Sequence, residues 1–165
     1  MTRKLLVIWI IAMIFLLNGL VCYAAPGIGV TVGKTLPQFK LAALDGQDVT
    51  VGPSDRVTII NFWATWCPPC REEMPELNDF YLQYQDSIYF YAINLQEDPG
   101  KVNNFMYNNG YSLPTLVDVD GVVGRLFHIQ AIPTTLVVDR NGVIQFLQRG
   151  ATSRKQLEDV INSFL

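Results

Sequence analysis

Two cysteines separated by two prolines, Cys67-Pro68-Pro69-Cys70, stand where a strand pattern gives way to a helix pattern. The run before them, residues 57–62, is apolar and rich in β-branched side chains, which predicts a buried strand. The run after them carries large apolar residues at the spacing of one helix face, namely Met74, Leu77, Tyr81 and Tyr84. The cysteine pair is therefore predicted to lie where a helix begins directly after a buried strand.

This position favours a reactive thiolate. The first turn of a helix has unpaired backbone N–H groups and the positive end of the helix dipole, and both stabilise a thiolate over a thiol. A cysteine placed there has its pKa lowered from about 8.5 to roughly 3.5–7.5. We predict that Cys67 is the nucleophile and that Cys70, one turn inside the helix, is the resolving cysteine. Pro68 and Pro69 fit, because a proline in the first turn lacks only an N–H that has no partner there.

Three other uses of the pair remain open. Half of a zinc site would need two further ligands, and the chain offers Cys22 as its only other cysteine and His128 as its only histidine. An inert structural disulfide would close so short a loop that it constrains the unfolded chain little. A peroxidase-type cysteine has a threonine three residues before it, whereas Thr65 stands two before Cys67.

Residues 62–75 resemble the active-site motif of the thioredoxin superfamily, and in detail that of the TlpA/ResA-like thiol–disulfide oxidoreductases. The segments 33–39 and 131–139 extend the resemblance beyond this motif. It implies thiol–disulfide exchange through a Cys67–Cys70 couple, with no other cofactor and no metal, and it makes Trp66 a supporting residue. A copper carrier on the same fold is an alternative, although that branch uses a wider cysteine spacing and a histidine, for which His128 is poorly placed.

The order of the predicted elements also fits a thioredoxin-like α/β fold. We expect a mixed central sheet with helices on both faces, an N-terminal β-hairpin and a central helical insertion. The hairpin is predicted around Asp45-Gly46, and a second hairpin turn is predicted at Asn141-Gly142, between strands at 134–139 and 143–149. The remaining elements are core strands at 57–63 and 88–95, the inserted helix at 99–109, a short helix at 122–127 and a last helix behind a Ser153/Gln156 capping box.

Two carboxylates are candidates for handling protons near the cysteines. Asn61 stands where cytosolic thioredoxins usually have a buried aspartate, and an amide cannot take up a proton. The resemblance moves that role to Glu73, which follows Cys70 by one helical turn. Burial would raise the pKa of Glu73 and suit it to proton exchange, whereas a solvated helix residue is the alternative. Glu97 aligns with an acidic residue near the active site of ResA-like proteins, or it is a plain loop residue.

Ile132 and Pro133 are the second pair of residues that the resemblance assigns to the site. In the superfamily this proline is cis and packs against the disulfide, although cis X-Pro bonds are only about 5% of those in folded proteins. Ile132 would offer its backbone groups to an extended substrate peptide. Ala131 departs from the glycine that the family often has there.

The N-terminus predicts export from the cytoplasm. Arg3 and Lys4 precede an apolar run at residues 5–17, and the chain continues mostly apolar to residue 25. Residues 1–25 therefore form a cleaved signal peptide or, as the resemblance favours, a membrane anchor. We predict that residues 26–35 are a linker and that residues 36–165 form one thioredoxin-like domain.

Charge and resemblance together suggest the partners. The net charge of −3 and the lack of a basic cluster argue against nucleic acid. The resemblance implies a disulfide-bearing exported protein as substrate, with apocytochrome c as the best-known case in the family. It also implies re-reduction by an electron donor in the membrane. The domain would be membrane-anchored facing outward, or periplasmic or secreted if residues 1–25 are removed.

Overall fold

The computed structural model of the chain describes residue 27 and residues 29–165. The strands in this part are β1 Phe39–Ala43, β2 Asp48–Val51, β3 Val57–Trp63, β4 Ile88–Leu95, β5 Thr115–Asp118, β6 Thr134–Val138 and β7 Ile144–Arg149. They form one sheet in the order β2-β1-β5-β4-β3-β6-β7. β3, β4 and β5 run parallel to one another, and the other neighbours are antiparallel. The predicted mixed sheet is confirmed.

Helices cover both faces of this sheet. Their bounds are α1 Pro68–Tyr84, α2 Pro99–Asn108, α3 Val122–Leu126 and α4 Arg154–Ile161. Side chains of α1, α2 and α4 enter one core cluster, and Val123 of α3 enters the other together with Phe39 and Val51 of the first hairpin. β3 divides its side chains between the two clusters, because successive residues of a strand point to opposite faces. The fold class predicted from the sequence is therefore confirmed.

The two predicted hairpins are present. β1 and β2 pair antiparallel through a turn at Asp45-Gly46, and β2 forms one edge of the sheet. β6 and β7 pair through the turn at Asn141-Gly142, which lies at the start of β3 and thus at the end of the sheet opposite the cysteines. Asp139 stabilises this turn by accepting bonds from the N–H groups of Asn141 at 2.8 Å and Val143 at 2.9 Å.

The inserted helix α2 follows β4 and precedes β5 along the chain. Asp98 caps its start by accepting a bond from the N–H of Lys101 at 3.0 Å, and Gly110 ends it with a φ of 68° that favours glycine. Phe105 packs against Trp63 at the end of β3, with ring centroids 5.4 Å apart. The insertion is thereby packed against the strand that leads to the cysteines.

The structure describes part of the predicted linker and none of residues 1–25. Gly33 donates to the carbonyl of Ile144, and Leu36 donates to that of Gly142, both at 2.8 Å. Thr35 also forms a bridge with Val143, so the described part of the predicted linker is bonded to the β6–β7 hairpin. Residues 1–25 lie outside the described residues, and their assignment as signal peptide or anchor stays a prediction. Among the helices that are described, none is long and apolar enough to span a bilayer.

Candidate active site

Cys67 and Cys70 form a disulfide at the start of α1, with their Cα atoms 5.3 Å apart. Cys67 is the N-cap residue, and its Sγ accepts a hydrogen bond from the N–H of Cys70 at 3.3 Å. Pro68 and Pro69 occupy the first two helical positions, as predicted. Cys67 is 3% exposed and Cys70 is fully buried, so Cys67 is the sulfur that an incoming group reaches first.

The loop before β6 lies against this disulfide. The bond between Ile132 and Pro133 is cis, as the resemblance implied. The Sγ of Cys67 lies 3.7 Å from the carbonyl oxygen of Ile132. Pro133 is buried, and its carbonyl accepts a bond from the N–H of Gly150 at 2.8 Å. The Sγ of Cys67 therefore lies beside a backbone segment with which an extended peptide could pair.

Trp66 is an exposed residue of the predicted site, with 64% of its surface accessible. It borders a cavity of about 290 Å³ beside the loop before β6. Uncharged side chains line the rest of the cavity, namely Leu95, Gln96, Ile129, Gln130, Ala131 and Ile132. A large exposed aromatic ring next to a reactive sulfur provides contact area for a protein substrate.

Glu73 is buried within the polar cluster that lies one turn beyond Cys70. It is 5% exposed. Its Oε1 accepts a bond from Asn61 Nδ2 at 2.8 Å, and its Oε2 accepts one from the backbone N–H of Thr152 at 2.8 Å. Asn61 also donates to Thr135 Oγ1 at 3.0 Å. The amide at position 61 thus contacts the carboxylate that was predicted to take over its role.

Burial raises the pKa of Glu73 from 4.5 to about 6, against the opposing effects of the hydrogen bonds from Thr152 and Asn61. A carboxyl group with such a pKa exchanges protons near neutral pH, which suits a general acid or base. The alternative of a solvated helix residue does not fit a side chain that is 5% exposed. Glu72, its neighbour, is the exposed carboxylate of this turn.

Glu97 is also buried, and its carboxylate accepts several hydrogen bonds. It accepts bonds from the N–H and the hydroxyl of Thr65, both at 2.6 Å, and from Asn94 Nδ2 at 2.9 Å. Lys101 adds an ion pair at 2.6 Å. Burial raises the pKa of Glu97, but the bonds from Lys101, Thr65 and Asn94 outweigh it, and the net shift is downward. Glu97 therefore stays ionised and holds the loop that precedes Cys67.

Several residues of the site were not predicted from the sequence. Thr152 and Thr135 complete the surroundings of Glu73 and Asn61, and Asn94 and Lys101 complete those of Glu97. A signal was available only for Lys101, which stands four residues after Glu97 on a helix. Thr152 acts through its backbone N–H, a group that every residue except proline has.

The alternatives to thiol–disulfide exchange find little support in the geometry. The hydroxyl of Thr65 donates to Glu97, so it is engaged away from the sulfur that a peroxidase threonine would serve. His128 is exposed after α3. In the described part of the chain no group of three or more His, Cys, Asp or Glu residues could hold a metal ion.

Comparison with known proteins decides the family. The family model described as Redoxin matches residues 31–161, which is most of the chain. The chain belongs to the Redoxin family. Within this family it is ResA-like: the thiol-disulfide oxidoreductase ResA of Geobacillus thermodenitrificans is 30% identical over 136 residues, covering 81% of this chain and 78% of the relative. Sporulation thiol-disulfide oxidoreductase A of Bacillus subtilis is 29% identical over 166 residues, covering 96% of this chain and 97% of the relative.

A solved structure supports the same assignment. The thiol:disulfide interchange protein of the thioredoxin family from Chlorobium tepidum has a TM-score of 0.69 and 26% identity, covering 79% of this chain and 94% of that chain. This Redoxin-family protein is therefore a thiol–disulfide oxidoreductase with a thioredoxin fold and a Cys67–Cys70 disulfide.

The two cysteines of this Redoxin-family protein are expected to differ strongly in reactivity once they are reduced. Cys67 lies at the helix start and is the more exposed, whereas Cys70 is fully buried. Iodoacetamide added to the reduced protein at about pH 7 should therefore label Cys67 well before Cys70. Peptide mapping by mass spectrometry at short reaction times measures this order. Equal labelling, or labelling of Cys70 first, would reverse the assigned roles.

Proposed function

We propose that the protein reduces disulfides of exported proteins outside the cytoplasm, with Cys67 as nucleophile, Cys70 as resolving cysteine and Glu73 as proton acceptor. The observation that carries the chemistry is the position of Cys67 Sγ. It accepts a hydrogen bond from the N–H of Cys70 at 3.3 Å and lies 3.7 Å from the carbonyl oxygen of Ile132, at the less buried end of the disulfide. A sulfur in that position can be both activated by the helix and reached by a peptide.

The reaction begins with the reduced protein. The Cys67 thiolate attacks one sulfur of the substrate disulfide, the substrate S–S bond breaks, and the departing sulfur takes a proton. Cys70 then loses its proton and attacks Cys67 Sγ, which releases the second substrate sulfur as a thiol. The substrate gains two electrons and two protons, and the protein is left with the Cys67–Cys70 disulfide.

Glu73 is the group suited to receive the proton of Cys70. The two residues are neighbours one turn apart on the same helix face, and the pKa of Glu73 is raised by burial to about 6. A carboxylate with that pKa accepts a proton at neutral pH and returns it at little cost. Asn61 and Thr152 hold the carboxylate in place while its protonation changes.

Glu97, Trp66 and Pro133 act through position rather than through bond making. Glu97 fixes Thr65 two residues before the nucleophile, and Pro133 packs in the loop whose carbonyl lies beside Cys67. Trp66 offers an exposed ring to the substrate. Together they present the sulfur of Cys67 to a protein segment.

Location and direction rest on the N-terminal pattern and on the resemblance. Arg3 and Lys4 before an apolar run predict export, with the basic residues left on the cytoplasmic side. A reductant outside the cytoplasm must be re-reduced after each cycle, and a dithiol donor in the membrane would supply the two electrons. Apocytochrome c is the substrate that the resemblance favours. Reduction potentials of such proteins range from about −270 to −120 mV, so the direction has to be measured in the cell.

Labelling of intact cells with a membrane-impermeant maleimide tests location and direction together. If the domain lies outside the cytoplasm and is kept reduced, Cys67 should be labelled in intact cells as fully as after lysis. Quantitative peptide mapping gives the labelled fraction, and a Cys67→Ser variant gives the background from other thiols.

Two outcomes would contradict the proposal. Labelling only after lysis would place Cys67 inside the cytoplasm. Labelling only after treatment with a reductant would show that the disulfide is the resting state, so the protein would not act as a reductant.

A further inference from the structure

A second cavity lies beside Pro68 at the start of α1. It has a volume of about 360 Å³ and lies between the start of α1 and the inserted helix α2. Its lining consists of Pro68, Arg71, Glu72, Phe105, Asn109 and Tyr111. Pro68 directly follows the nucleophilic Cys67. A group that fills this cavity would therefore sit close to the reacting sulfur.

Arg71 supplies to this cavity a positive charge that no ion pair neutralises directly. It is exposed, and no hydrogen bond or ion pair engages its guanidinium group among the residues that the structure describes. Its charge acts on the hydroxyl of Tyr111, opposing the effect of burial, which raises the pKa of that phenol. The cavity thus has a free guanidinium near a hydroxyl that stays protonated and can donate.

Glu72 is the one acidic residue in the lining, and it is shared with another cavity. The cavity beside Glu73, of about 290 Å³, is also lined by Glu72, whereas Arg71 does not line that cavity. No ion pair joins Glu72 to Arg71 among the described residues, although both line the first cavity. The guanidinium group of Arg71 is therefore free to pair with a carboxylate that enters the first cavity.

The wall built by the insertion is held in place. Phe105 packs between Trp63 at 5.4 Å and Tyr111 at 6.1 Å. Behind Tyr111, the N–H of Ser112 donates to Asn78 Oδ1 of α1 at 2.7 Å. The cavity is thus formed between two helices that are fixed to each other, and its aromatic rings can pack against the aliphatic part of a bound side chain.

We propose that this cavity receives an acidic side chain of the substrate protein, next to the reacting cysteine, and that Arg71 selects for it. A guanidinium fork binds a carboxylate through two parallel hydrogen bonds, and the hydroxyl of Tyr111 can add a third. An extended chain rises about 3.3 Å per residue, so the acidic residue lies within one or two residues of the substrate cysteine. This inference rests on the proposed function, since it takes a disulfide-bearing protein as the substrate.

Two synthetic peptides with one internal disulfide, differing only in Asp or Lys beside the attacked cysteine, test the inference. The reduced wild-type protein should reduce the Asp peptide about two- to fivefold faster than the Lys peptide at low salt, and added salt should shrink this ratio. Arg71→Glu should invert the ratio, and Tyr111→Phe should reduce it without changing the net charge. Stopped-flow Trp fluorescence under single-turnover conditions gives each rate.

Two controls separate recognition from other effects. Arg125→Glu places the same charge change on an exposed residue of α3 and should keep the wild-type ratio. Hydroxyethyl disulfide has no charge, so its rate of reduction reports any change in the reactivity of Cys67. Such a change affects both peptide rates equally and therefore does not alter their ratio. Equal ratios in wild type and Arg71→Glu would overturn the inference. If both peptides are still reduced in that case, the proposed function stands without it.

Discussion

Replacing Cys67 by serine is expected to abolish thiol–disulfide exchange, so that the rate equals that of buffer alone. Cys67 is the less buried of the two cysteines, and a serine hydroxyl at the same place is not ionised at neutral pH. Cys70→Ser should lose turnover as well, but for another reason. Cys67 of this variant still attacks the substrate but then remains bound to it, because no second sulfur resolves the mixed disulfide.

Stopped-flow measurement separates the two variants. Cys70→Ser should show one rapid phase whose amplitude equals the protein concentration, whereas Cys67→Ser should show none. Cys22→Ser serves as the matched control for loss of a thiol and should behave like wild type. A rapid phase that survives in Cys67→Ser and disappears in Cys70→Ser would show that the roles are exchanged.

Replacing Glu73 by glutamine is expected to remove an inflection near pH 6 from the rate of exchange and to stabilise the protein at alkaline pH. Wild-type turnover should rise as pH passes through about 6, because ionised Glu73 accepts the proton of Cys70. Glutamine accepts no proton, so the variant should react more slowly than wild type above pH 6. The pH dependence of its rate should reflect only the ionisation of the cysteines. Without the negative charge of Glu73, the pKa values of the cysteine thiols should also fall.

The stability effect has a defined sign. The pKa of Glu73 is raised from 4.5 in a solvated chain to about 6 in the folded protein. Its contribution to folding is therefore fully present below about pH 4.5 and is lost as pH rises through 6. A pKa shift of that size lowers the free energy of unfolding of the wild type by about 2 kcal/mol at about pH 8, and the neutral glutamine avoids this loss. The advantage of Glu73→Gln over wild type should thus be about 2 kcal/mol larger at pH 8 than at pH 4.

Urea unfolding at both pH values measures this difference. Glutamine turns one N–H group toward Asn61 or Thr152, and Asn61 can rotate its amide to present Oδ1, which has no hydrogen-bond partner among the described residues. Any constant cost of this adjustment cancels in the comparison between pH values. Glu72→Gln, the exposed neighbour, should leave both the rate profile and the stability difference unchanged. A pH–rate profile of Glu73→Gln identical to wild type would refute the role of Glu73.

The elements next to the cysteines could be predicted because local patterns determine them. β-branched residues from Val57 to Ile60 predict a buried strand, and the spacing of Met74 and Leu77 predicts the helix face that is buried in α1. Turn residues gave the two hairpins for the same reason, since only a few residues tolerate a positive φ there. At the ends of elements local patterns are weaker: β6 ends at Val138, one residue before the predicted end, because Asp139 turns to cap the hairpin.

The polar surroundings of the site could be predicted only in part. The motif resemblance predicted that Glu73 replaces the acid missing at Asn61. It did not predict that the two side chains touch, because they are twelve positions apart and their contact arises from the packing of α1 on β3. The bond from Thr152 to Glu73 joins positions 79 residues apart. Thr65 and Glu97 are separated by 32 residues and meet only because β3 and β4 end side by side. Contacts of this kind depend on tertiary structure, which a single sequence does not display.

The most direct measurement is the composition of the trapped intermediate. Reduced Cys70→Ser protein is mixed with a disulfide peptide, quenched with acid and digested, and the linked fragments are identified by mass spectrometry. We expect a single mixed disulfide, between Cys67 and the peptide, formed in proportion to the protein added. An intermediate linked through any other residue, or no intermediate at all, would contradict the assignment of Cys67 as the nucleophile.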